Sequence, residues 1–162
     1  MGRYEEAEEV GDALLAIEPN NRLAQGNMAD LMARQGRIDE ALRFIQDHDL
    51  KERPQAVFVY AAAGLREELE RVIEIMEPRS GLKIWLVHGY ALLGDAERLL
   101  RNLKLAIDNH DPILNQLIGH GPYHDCTNFD GVKLGTIYDG EEVQGLLRQI
   151  NFDQQSISCL KI

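Results

Sequence analysis

Gly36 to Gln46 reads GRIDEALRFIQ, and Gly2 to Asp12 reads GRYEEAEEVGD. In both, glycine and arginine precede an apolar residue, two acids and an alanine, with Gly36 placed 34 residues after Gly2 and Ala41 34 after Ala7. A fixed period of that length marks stacked supersecondary units, each burying its apolar face against the next.

Apolar spacing around the repeated stretches predicts helices. Glu5 to Glu18 places Ala7, Val10, Leu14 and Ile17 three and four residues apart, and Pro19, Asn20 and Asn21 end it. Its other side carries Glu5, Glu6, Glu8, Glu9 and Asp12, acids that suit a helix N-terminus and read as a solvated face. Arg22 to Arg34 follows, with Leu23, Met28, Leu31 and Met32 apolar and with Gly26 and Ala29 small enough for close helix approach. Gln35 and Gly36 turn the chain into Ile38 to Asp47, which returns through Ala41, Leu42, Phe44 and Ile45. Arg53 and Pro54 open a further hairpin, Gln55 to Ala63 and Arg66 to Met76, with Gly64 at its turn and Pro78 at its end. Val57 to Tyr60 is β-prone, but Ala61 to Ala63 and the helical pattern on both sides favour helix. Leu82 to Leu93 is apolar all round, includes Trp85 and is expected to be buried. Gly94 and Asp95 then lead into Ala96 to Asp108, whose inward face is Leu99, Leu100, Leu103, Ala106 and Ile107.

The period, the turn glycines and the alanines in the packed face resemble the tetratricopeptide repeat (TPR) family, a family of helical-hairpin arrays. The repeated stretches match the second helix of that hairpin. The resemblance implies an all-α fold, an α-solenoid of stacked antiparallel helical hairpins with a C-terminal capping helix. The repeats are degenerate, since Gly36, Gly64 and Gly94 are 28 and 30 residues apart. It also implies a non-catalytic protein–protein interaction module whose groove is lined by the first helix of each hairpin. That places Asn27, Asp30, Arg34, Phe58, Ala62 and His88 on the groove, although a lone histidine on an apolar helix is more often a packing residue. One Asn, one Asp and one Arg do not make the carboxylate clamp some members of the family carry. Within the pattern, Glu5 to Glu18 is a second helix without its first. Its stripe of Val10, Leu14 and Ile17 is therefore an interface candidate, covered either by more of an array or by another copy of the chain.

After His110 the pattern changes. Asp111 to Leu117 reads as a short helix, Gly119 to Asp139 as an irregular loop, and Gly140 to Ile150 as an amphipathic helix through Val143, Leu146, Leu147 and Ile150. This last helix is expected to cap the final hairpin, with Asp153 to Ile162 frayed. The expected division is 1–110 for the repeats and 111–162 for an extension within the same structural unit. Asp111-Pro112 and Leu146-Leu147-Arg148 resemble the C-terminal ends of TPR-type sensor regions attached to bacterial cyclases, transcription regulators and kinases, which implies a regulatory part of a larger protein.

Charge narrows the partners. With 17 Lys plus Arg against 27 Asp plus Glu, the formal net charge is −10, which repels nucleic acid and anionic membrane and favours a basic or neutral protein or peptide. The two cysteines, Cys126 and Cys159, are too few for a disulfide framework, and the acidic opening lacks a signal-peptide pattern, so the reading is cytoplasmic. His120, His124 and Cys126 are residue types that zinc accepts, and a metal-dependent enzyme on that loop is a remote alternative. The paired-cysteine and helical HExxH spacings are absent, so no metal, cofactor or catalytic residue is assigned.

Overall fold

The computed structural model describes residues 4–79, 81, 83–111, 114 and 128–148. The described residues fall into two compact units, Met1–Met76 and Glu77–Ile162. Elements are all helical, as expected. In the first unit they are α1 (Tyr4–Ile17), α2 (Arg22–Arg34), α3 (Ile38–Asp47), α4 (Ala56–Ala62) and α5 (Arg66–Met76). In the second they are α6 (Lys83–Leu93), α7 (Ala96–Asp108), α8 (Leu134–Tyr138) and α9 (Glu141–Arg148).

Antiparallel hairpins α2–α3, α4–α5 and α6–α7 are the building blocks, and in the first unit α2 packs on α1, α3 and α4. Helix starts are set by local chemistry: Asn21 Oδ1 accepts from Ala24 N at 3.0 Å, and Asp95 Oδ1 accepts from Arg98 N at 2.9 Å. Five of the helices end by one rule. After α2, α4 and α6, Gly36, Gly64 and Gly94 adopt φ of 79°, 72° and 78°, and their N–H groups bond back to Ala33, Ala61 and Ala91. The next residue in each case, Arg37, Leu65 or Asp95, bonds one residue further back, which completes a Schellman motif. α3 and α7 end in the same way, with Asp49 and His110 in the left-handed region at φ 52° and 51°.

Small residues govern how closely the helices pack. Met28 Sδ lies where a side chain on Gly11 would sit, so α1 rests on α2 through Gly11 and the half-buried Leu15. A side chain on Gly26 would meet Gln55 Cδ at 2.8 Å, so the start of α4 lies against α2, and Ala29 is buried in the same helix. Val57 to Tyr60 is helical and buried. In α6 every residue from Ile84 to Leu93 is buried. A helix that is apolar on all sides is covered on all sides.

The sequence expectation needs amending in the second unit. Leu134–Tyr138, read as loop, is helix α8, with Leu134 and Tyr138 buried and α6 its neighbour. It follows a turn in which Asn128 Oδ1 accepts from Asp130 N and Val132 N, while Phe129 N donates to Leu92 O. α9 packs on α7 through the buried Val143 and Leu147, the capping placement expected of it. α8 packs on α6 and α9 on α7, so all four helices belong to the compact unit Glu77–Ile162. The expected helix at Asp111 to Leu117 and the frayed end at Asp153 to Ile162 fall mostly or wholly outside the described residues.

Candidate functional site

On α2, Asn27, Asp30 and Arg34 share a face at spacings of three and four, with Asn27 exposed. Arg34 Nε donates to Asp30 Oδ2 at 3.0 Å, and the two side chains are only 9% and 13% exposed. The Arg34 guanidinium also sits over the Phe58 ring, 5.6 Å from its centroid. That cation–π contact joins α2 to α4, where Phe58 is buried and Ala62, one turn later, is exposed. Of the residues expected on the groove, Asp30, Arg34 and Phe58 are thus brought together where α2 meets α4, while Asn27 and Ala62 are exposed on the same two helices.

His88 is different. It is 1% exposed, lies in the second unit and shares a 2.6 Å hydrogen bond between its Nδ1 and Tyr138 Oη. The Trp85 and Tyr138 rings meet it edge-on, at centroid distances of 6.4 and 5.6 Å. It is a packing residue, and the groove assignment for it is corrected. Its partner lies 50 residues away in a helix the sequence reading missed.

α1 is the helix least covered by the rest of the chain. It has no buried residue, and Val10, Leu14 and Ile17 are 69%, 39% and 79% exposed. Besides the packing of Gly11 on Met28, polar bonds tie it to the α2–α3 turn. Arg37, at the α2–α3 turn, donates from Nη1 to Glu8 Oε1 at 2.6 Å and from Nε and Nη2 to Glu40 at 2.8 and 2.5 Å. Gln35 Nε2 adds a bond to Glu8 Oε2 at 3.0 Å. Hydrogen bonds from Arg37 and then Gln35 hold the Glu8 carboxyl below the usual range, and Arg37 does the same for Glu40. Bonds to Glu40 and Glu8 in turn raise Arg37. Sequence reasoning saw Arg37 as part of the repeated stretch and Glu8 as one of several surface acids, without the pairing between them.

A tetratricopeptide repeat family model matches residues 1–65. Residues 1–65 are a tetratricopeptide repeat region. No curated protein and no solved structure matches the chain. TPR repeats generally mediate protein–protein interaction and typically act without catalysis. In the TPR region of this chain the α2–α4 junction is where first helices lie side by side. Among the described residues no cluster of three or more His, Cys, Asp or Glu side chains is placed to hold a metal, and no helix is long and apolar enough to cross a membrane. The His120, His124 and Cys126 loop lies outside the described residues.

Proposed function

We propose that the TPR region is a non-catalytic interaction module that receives a peptide or helical segment of another protein across the α2–α4 junction. Asn27 supplies hydrogen bonds there and Ala62 a small apolar contact. The observation that supports this reading is the Arg34–Phe58 contact, which joins a covered ion pair on α2 to a buried ring on α4, the two helices that also carry the exposed Asn27 and Ala62. A preformed junction of that kind spares a ligand the cost of ordering the surface it meets. The net charge of −10 favours basic or neutral ligands and speeds their encounter. Resemblance of the C-terminal segment to sensor ends, together with the acidic composition, supports a regulatory role in the cytoplasm.

Asp30 and Arg34 are poor positions for testing this, because either substitution disturbs the junction as well as the surface. Asn27→Arg and Ala62→Arg change exposed positions only. Proteins captured from a lysate by the wild-type chain are expected to be lost with either variant, while helical content stays unchanged. If the same partners are captured in the same amounts by both variants, the α2–α4 face is not the binding site.

A further inference from the structure

Where α4 begins, the TPR region buries polar atoms that have no partner. Gln55 is 5% exposed and packs against the backbone of α2: a side chain on Gly26 would meet its Cδ at 2.8 Å and its Oε1 at 3.0 Å. Gln25, beside Gly26 on α2, is 4% exposed, and its Nε2 donates to Pro19 O at 2.7 Å. Among the described residues, Gln25 Oε1, Gln55 Oε1 and Arg53 Nε are buried and make no hydrogen bond. Each has given up water without gaining a protein partner, which disfavours the closed arrangement.

The backbone at the same place is lightly held. α4 is seven residues long, and its Val57 to Tyr60 are β-branched or aromatic residues of modest helix propensity. Gln55 supplies no side-chain cap. Arg53 N, Ala56 N and Val57 N donate to Leu50 O, Arg53 O and Pro54 O, each three residues back, in the tighter pattern whose geometry is poorer. We propose that the start of α4 is an opening point built into the TPR region. The link from Lys51 to Gln55 and the first turn of α4 lift from α2 together, up to Phe58, where the Arg34 guanidinium holds the ring. Opening brings the three polar atoms to water, which supplies the bonds the closed form lacks. Two first helices can then change their separation at one end while the Arg34–Phe58 contact keeps the other. The inference concerns the chain by itself and stands or falls whether or not a ligand binds across α2 and α4.

Amide hydrogen exchange on the full chain, followed by NMR in zero and low urea, is the test. Ala56 and Val57 are buried and hydrogen-bonded, so burial alone would make them slow. They are expected instead to exchange about a hundredfold faster than Ala29 in α2 and Ile73 in α5, at rates that low urea leaves unchanged, since a local opening exposes little surface. Ala63, which donates to Val59 O beyond the opening point, should be slower than both. Gln55→Met keeps the length of the side chain and removes the unpaired oxygen, and should slow Ala56 and Val57 by about tenfold. Ala56 and Val57 as slow as Ala29, with rates that rise in urea alongside it, would overturn the proposal. Exchange at Ala63 as fast as at Ala56 would do the same, because the whole helix would then be unfolding. So would a folded Gln55→Met variant with unchanged rates, since Gln55 Oε1 would then have a partner in the closed form. Should that variant not fold, the wild-type pattern alone decides.

Discussion

Arg34 and Arg66 make formally similar ion pairs four residues along a helix, Arg34 with Asp30 and Arg66 with Glu70, at 3.0 and 3.1 Å. Their surroundings differ. The Arg34 pair is about a tenth exposed and carries a ring beneath the guanidinium, whereas both side chains of the Arg66 pair are 47% exposed. Water and mobile ions weaken the exposed pair, so Arg66→Ala should cost no more than about 0.5 kcal/mol. Arg34→Ala removes the charge facing Asp30 inside the fold and the cation over Phe58, and should cost about 3 kcal/mol. Urea unfolding of the two variants measures the difference. Equal losses would mean that Arg34 is more hydrated than its position implies. None of this contrast is visible in the sequence, where both arginines read as i, i+4 partners. Burial depends on what α4 brings across, and Phe58 is 24 residues from Arg34.

At the scale of elements, the hairpins were legible because apolar residues repeat at helical spacing and because a left-handed glycine closes α2, α4 and α6. α8 was not, although Leu134, Ile137 and Tyr138 have helical spacing. A five-residue segment among turn formers gives too little periodicity to outweigh Asn128, Asp130 and Gly131. It is helical because α6 gives its apolar residues a place to be buried. α1 shows the reverse case, a strong pattern with weak cover, and its attachment should respond to pH. Glu8 and Glu40 titrate below their ordinary value of about 4.3 because Arg37 binds their charged forms. Depressed carboxyl pKa values contribute stability that is complete above the unfolded value and is lost as pH falls through the folded one. Amide protection factors in α1 should therefore drop on acidification below about pH 4, while those in the interior of α2 hold. Glu8→Gln should lower α1 protection at neutral pH and flatten its dependence on acid. Protection in α1 that is constant down to pH 2 would show that packing of Gly11 on Met28, and not the Arg37 bonds, holds the helix.

For the molecule as a whole, a formal charge of −10 is a statement about kinetics of encounter more than about the fold. Association of a basic peptide ligand should slow steeply between about 0.05 and 0.5 M salt, as the Debye length shrinks from roughly 14 to 4 Å, with dissociation changing much less. Stopped-flow anisotropy at several salt concentrations resolves the two rates. A salt effect confined to dissociation would mean that only the contact acids act and that the overall field contributes nothing. Part of this was legible from composition alone. Which side of α1 meets α2 was not, because Gly11 and Met28 meet only in the fold. Burial of α6 has a further, spectroscopic consequence. Its Trp85 is the chain's single tryptophan and belongs to the unit Glu77–Ile162, while tyrosines occur in both units. Emission excited at the red edge of the absorption band therefore reports on one unit alone, and circular dichroism reports on both. The chain carries its own internal label for asking, without any introduced dye, whether the TPR region and the unit that follows it melt as one.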